Sequence, residues 1–189
     1  MAHRTALTRC IALLRGINVG RAKRVAMADL RGLIEDLGLS GARTLLNSGN
    51  AIFDASQPNV RKVASAIAES IQGRLGVAVP VIVLTAQELD AIVAENPLLR
   101  TATDPAKCLV AFVDASKTLR KAGALLAQSW TPEALAVGRK AAYLWCPGGI
   151  AESKLVQAFA RATAEAATAR NWATVLRLQA AARAPDNGA

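Results

Sequence analysis

The sequence predicts an α+β fold of two tandem βαββαβ units, and three observations carry that prediction. In the first half, apolar residues recur at helical spacing twice: at Met27, Leu30, Leu33, Ile34 and Leu37, then at Val60, Val63, Ala64, Ile67, Ile71 and Leu75. Four short apolar runs of strand length surround these two helices. The second half then repeats the same order with less regularity. A βαββαβ order is the ferredoxin-like, or α-β plait, unit: an antiparallel sheet with both helices on one face.

Taken in order, "CIALLR" (residues 10–15) is the first strand, and the helix over residues 27–37 stops at Gly38. Strands follow at residues 42–46 and 51–54, joined by the turn "NSGN", Asn47 to Asn50. Pro58 sits at the start of the second helix, and residues 79–84 form the fourth strand. "TAQE" is a capping box, with Thr85 as N-cap and Glu88 three residues on, for a helix carrying Leu89, Ile92 and Val93. "NPLLRTATDP" reads as a loop.

In the second half, "CLVAFVD" is a strand, residues 116–127 a helix, and "ALAVG" with "AAYLWC" a hairpin over "GRK". Residues 152–166 form a helix with Leu155, Phe159 and Ala162 inward. No clear fourth strand follows. "TARNWATVLRLQ" reads instead as an extended piece entering a terminal helix, with Trp172, Val175 and Leu176 as its apolar contacts. The expected division is residues 1–84 for the first ferredoxin-like unit and 85–105 for a linker helix and loop. Residues 106–183 form a second unit, irregular at its C-terminus, and 184–189 a disordered tail.

The 189 residues, 52% of them hydrophobic, suffice to bury a core in one large domain or two small ones. No apolar run approaches the roughly 18 to 20 residues of a membrane span, and "CIALL" is too short for a secretory signal. A cytoplasmic protein with no membrane partner is expected. Cys10, Cys108 and Cys146 are odd in number and lie in strand-like stretches, which reads as buried reduced thiols. With one histidine, His3, and no CxxC, the chain offers neither metal-ligand spacing nor the base of a His-dependent nucleophile. Neither a metal nor a cofactor is expected.

The net charge of +9 is uneven: residues 1–84 hold 11 Lys and Arg against 5 Asp and Glu, and residues 85–189 hold 12 against 9. Such a surplus suits an anionic partner, a small molecule or a nucleic-acid backbone, through attraction that salt weakens. Right-handed crossovers make the first two strands of a βαββαβ unit parallel, with the third antiparallel between them. The loop after the first strand, "RGINVGRAKRV", therefore shares one end of the sheet with "NSGN".

That end collects Arg15, Gly16, Asn18, Lys23, Asn47, Ser48, Gly49 and Asn50 as candidate ligand-binding residues. Arg21, Arg24 and Gly20 accompany them, beside a helix N-terminus that favours an anion. The alternative reading is architectural: Asn-Ser-Gly makes a hairpin turn unaided, and the glycines shape the loop. In the second half, Lys154 beside Ser153 at a helix start, and Arg170 beside Asn171, an N-cap candidate, complete the candidates.

Several motifs are excluded. "GINVGRAK" lacks P-loop spacing, and no GxGxxG follows a strand. An RNA-binding sheet needs exposed aromatics on its central strands, whereas "CIALLR" has none and "AIFDA" only Phe53. No catalytic constellation is recognisable.

"LLRGINVG" with a basic segment, "MADLRGLIEDLG", "SGNAIFD", "NPLL", "YLWCPGG" with "SK", and "TARNWATVLRL" together resemble the DUF1697 family, from about residue 10 to residue 178. The resemblance implies two α-β plait units in tandem. It implies no activity, since the family is a domain of unknown function. Its characteristic stretches fall on residues 15–20, 48–50, 153–154 and 168–175. "RAKR" departs from the more usual Gly followed by an Asn-Lys type segment, and "LLNSGN" from the commoner "YIQSGN". Asn47 in place of Gln keeps the amide but shortens it.

The favoured reading is a binding module for an anionic ligand or nucleic-acid backbone at the basic loop end of the first unit. Two alternatives stay open: a small-molecule enzyme with its site in the cleft between the units, and a scaffold or oligomerisation protein without chemistry.

Overall fold

The computed structural model describes residues 6–18, 23–164 and 166–185. The chain forms two compact units, Met1–Leu89 with Leu178–Ala189, and Asp90–Arg177. The expected division was linear; this one is not, since the first unit takes in residues from both ends of the chain.

The first unit contains β1 (Leu7–Leu14), α1 (Met27–Asp36), β2 (Ser40–Thr44), β3 (Asn50–Ser56), α2 (Val60–Leu75) and β4 (Val81–Thr85). Its four-stranded sheet has the order β2-β3-β1-β4 with every neighbouring pair antiparallel. Alternation along the strands sends Cys10, Ala12, Leu14, Ala51 and Phe53 to one face, where they pack with Leu30, Ile34, Ile67 and Ile71 of the two helices. Asn59 caps α2 by accepting a hydrogen bond from the Lys62 N–H (3.2 Å), and Gly76 closes it in the left-handed region. β2 lies two residues earlier than expected. The apolar pair Leu45 and Leu46 suggested strand, but Leu46 adopts φ 58° and stands exposed in the turn.

The opposite face of this sheet is also closed, with Ile11, Leu13 and Ile52 buried. Arg9 grips Asp54 through two hydrogen bonds, Nε to Oδ1 (2.6 Å) and Nη2 to Oδ2 (3.2 Å). Its Nη1 also donates to the carbonyls of Ala182 and Ala184 (3.3 and 3.2 Å), and Arg43 donates to that of Ala181. The carbonyls of Ala181 and Ala182 lie in the last turn of α6 (Trp172–Arg183) and that of Ala184 just past it, where helix carbonyls run out of intrahelical donors and carry partial negative charge. Two strand arginines thus cap the C-terminal end of the last helix. Leu178 and Ala182 of α6 are buried in the same unit.

The second unit takes up the chain within α3 (Ala86–Glu95), whose start the predicted capping box secures. The Glu88 N–H donates to Thr85 Oγ1 (3.1 Å), and the Thr85 N–H donates to Glu88 Oε2 (2.9 Å). Then come β5 (Cys108–Val113), α4 (Ser116–Gly123) with a 3-10 turn at Ala124–Ala127, β6 (Ala134–Val137), β7 (Ala141–Trp145), α5 (Lys154–Ala162) and β8 (Ala167–Asn171). The sheet order is β6-β7-β5-β8, again antiparallel throughout.

β8 corrects the expectation that a fourth strand was missing. Only Thr168 of "ATARN" is buried, so this edge strand has no apolar alternation to announce it. The helix expected over residues 152–166 stops at Ala162, where the Thr163 hydroxyl donates to the Phe159 carbonyl (2.8 Å) and Ala164 turns to φ 48°. Leu119, Ala122, Leu155 and Phe159 of α4 and α5 pack on Leu109, Ala111, Ala142 and Leu144. On the other face, buried Tyr143 donates its hydroxyl hydrogen to the Ile92 carbonyl of α3 (2.7 Å).

Candidate functional site

The register puts the loop after β1 beside the β2–β3 turn, because Leu13 pairs with Asn50 and Thr44 with Ala51. The Leu14 N–H donates to the Gly49 carbonyl (2.8 Å), and the Arg15 N–H to the Pro80 carbonyl (3.0 Å). Residues 15–18, 23–26 and 45–50 therefore meet at one end of the first sheet. Val19 to Ala22, including Gly20 and Arg21 of the candidate loop, lie outside the described residues.

Asn18 is the centre of this end. It sits at φ 55°, and its backbone N–H donates to the Lys23 carbonyl (3.1 Å). Its Oδ1 accepts from the Val25 N–H (3.0 Å), while Nδ2 donates to the carbonyls of Val25 (2.9 Å) and Asn47 (2.8 Å). Both amide hydrogens and the amide oxygen are thus committed to backbone. The side chain closes its own loop and clasps the neighbouring turn.

Asn50, fully buried, donates from Nδ2 to the Leu45 carbonyl (2.9 Å) and the Ser48 hydroxyl (3.0 Å). The turn closes behind it through the Leu45 N–H to the Asn50 carbonyl (3.0 Å). Gly49 has φ 80°, and a Cβ there would lie 2.8 Å from both Leu14 Cβ and Ile17 Cδ1. "NSGN" is therefore a turn whose buried Asn50 folds inward, whose Asn47 and Ser48 stand exposed and whose glycine permits close packing.

Charge faces solvent here beside exposed Gly16, Asn47 and Ser48. Lys23 and Arg24 are exposed and Arg15 half-buried. Two residues past Arg24, Ala26 is extended and supplies no side-chain cap to α1. The first turn of that helix contains Asp29 as its acidic residue. Lys23 also borders an open, mainly apolar groove of about 690 Å³, with Ala68, Glu69, Gln72, Val79 and Pro80 among its other walls.

The remaining candidates lie in the second unit. Arg170 lies opposite Val110, and Val110 opposite Tyr143, so the three share the sheet face away from α4 and α5. Burial lowers the Arg170 guanidinium to about 10, and its Nη1 donates to the Ala169 carbonyl (2.9 Å). Asn171 is the N-cap expected of it, accepting from the Thr174 N–H (2.9 Å).

Ser153 caps α5 by accepting from the Val156 N–H (3.0 Å), which leaves Lys154 exposed beside it. These two border a groove of about 440 Å³ together with Trp130, Glu133, Gly149 and Glu152. The anion position at the start of α5 is already taken, because Glu133 Oε2 accepts from the Leu155 N–H (3.1 Å).

Sequence reasoning missed Glu133 and the Arg9–Asp54 pair; each joins residues too distant in sequence for any local pattern to connect. All three thiols are buried and free, and burial raises each, Cys10 to about 11. Such thiols are poor nucleophiles. Among the described residues, no group of three His, Cys, Asp or Glu is placed to hold a metal, and no helix is long and apolar enough to cross a membrane.

Residues 7–143 match the family model described as "Protein of unknown function (DUF1697)". No curated protein matches the chain. A solved structure described as "The structure of conserved bacterial protein SP0830 from Streptococcus pneumoniae" is similar at a TM-score of 0.69 and 21% identity, over 94% of this chain and 100% of that one. At that identity the likeness concerns the fold alone.

Proposed function

The chain belongs to the DUF1697 family, and from that footing we propose that it is a binding protein for a small anionic group, a phosphate or carboxylate, held at the loop end of the first unit. The observation that carries this reading is the start of α1: a helix without a side-chain cap, entered directly from exposed Lys23 and Arg24. The free N–H groups of a first helical turn point at an anion, and flanking cations add attraction. Asn18 and Asn50 have a supporting part, fixing the backbone that presents Lys23 rather than touching the ligand. The apolar groove beside Lys23 offers room for the body of a molecule whose anionic group is bound.

Two finer readings belong with this one. The strand orders β2-β3-β1-β4 and β6-β7-β5-β8 support assigning both units to the ferredoxin-like plait. Three free thiols support a reducing compartment, the cytoplasm.

Titration with inorganic phosphate, followed by amide NMR, tests the site. Shifts concentrated on residues 24–29 and abolished by Lys23→Ala with Arg24→Ala are expected. Shifts scattered over the surface, or unaffected by that double substitution, would refute the assignment.

A further inference from the structure

Charge is distributed differently over the two helical layers. In the first unit, α1 carries Arg31 against Asp29, Glu35 and Asp36, and α2 carries Arg61, Lys62 and Arg74 against Glu69, a balance of four and four. Arg74 and Asp36 pair across the two helices at 2.6 Å. In the second unit, α4 carries Lys117, Arg120 and Lys121, α5 carries Lys154 and Arg161, and neither contains an acid. All five cations are exposed, while the apolar residues of both helices are buried against the sheet.

We infer that the α4–α5 surface of the second unit binds the phosphate backbone of double-stranded nucleic acid, without reading its bases. Lys154 and Arg161 lie two turns apart, about 10 Å along α5, and packed helices lie about 8–10 Å apart. The cations therefore form a two-row patch that spans several phosphates of a duplex. Among the described residues, acids near it stand at its margins. Asp114 precedes α4, Glu152 precedes α5, and Glu133 is engaged with the Leu155 N–H.

Two alternatives fit less well. Single strands are held by stacking on exposed aromatics. Here six of the seven aromatic residues are buried, and the seventh, half-buried Trp130, has its Nε1 on the Leu125 carbonyl. A membrane-surface helix inserts an apolar face, and Leu119, Leu155 and Phe159 are turned to the core.

Fluorescence anisotropy with a short labelled duplex of arbitrary sequence tests the inference on the full chain. Neutralising about three phosphates predicts a Kd that rises roughly 10- to 50-fold between about 50 and 200 mM salt. The triple change Arg120→Gln, Lys121→Gln, Arg161→Gln is expected to weaken low-salt binding at least about tenfold and flatten the salt dependence. The charge-matched control Arg31→Gln, Arg61→Gln, Lys62→Gln, on the helices of the first unit, stays within about twofold. Absent duplex binding, equal weakening by both triple variants, or binding of anionic vesicles without duplex overturns the inference. So does a loss that follows Lys23→Ala with Arg24→Ala, which would locate the contact at the loop end and leave the anion site standing.

Discussion

Gly49 shows how far one backbone position fixes its surroundings. A left-handed φ and the nearness of Leu14 and Ile17 act together, so the strain of a Cβ adds to its collision. Gly49→Ala is expected to cost roughly 2–4 kcal/mol, read as a lower midpoint in urea; an unchanged midpoint would mean that the turn relaxes freely. The turn itself was legible, because Asn, Ser and Gly favour it locally, and topology alone placed it beside the Arg15 loop. Which amides turn inward was not. Asn18 and Asn50 looked like ligand groups in one dimension, and only the left-handed φ of Asn18 and the register of β3 reveal that they bond the backbone. Lys23 and Arg24 are the exposed cations at this end, with Asn47 and Ser48 exposed beside them.

At the scale of elements, strong periodicity translated directly into helices and strands, and the Thr85 and Glu88 capping box formed as its spacing demands. The failures share a cause: residues whose side chains answer to distant partners. β8 is polar and short because it is an edge strand, and Arg9 occupies a strand whose partners are 45 and 173 residues away. Arg9→Ala leaves the Asp54 carboxylate, 11% exposed, without this cation and strips α6 of a C-terminal cap. A loss of roughly 3 kcal/mol is expected by chemical denaturation. Arg9→Leu combined with Asp54→Leu should recover part of it, since the stranded charge is gone while the missing cap is not. If the double change proves worse than the single one, stranded charge is not the main cost.

Across the whole molecule, the thiols and the phenol buried in the two units bias stability against alkali. Folded Cys10 titrates near 11 rather than 9, so between those values the unfolded chain binds fewer protons, and stability falls as pH rises. Burial shifts Cys108, Cys146 and the Tyr143 hydroxyl in the same direction. The urea midpoint should therefore drop from about pH 8 to about pH 10, and drop less steeply in Cys10→Ala; a flat profile would contradict this account. The presence of two units was readable because each half carries its own periodic segments. The discontinuity of the first unit was not, because nothing in "TVLRLQAAAR" names the face on which it ends. That discontinuity has a temporal meaning. A ribosome releases Arg9 early, but the carbonyls of residues 181–184 emerge only after residues 90–177 have all been made. N-terminal units usually finish folding first during synthesis; here the contacts of Arg9 and Arg43 with those carbonyls can form only once the internal unit has been made.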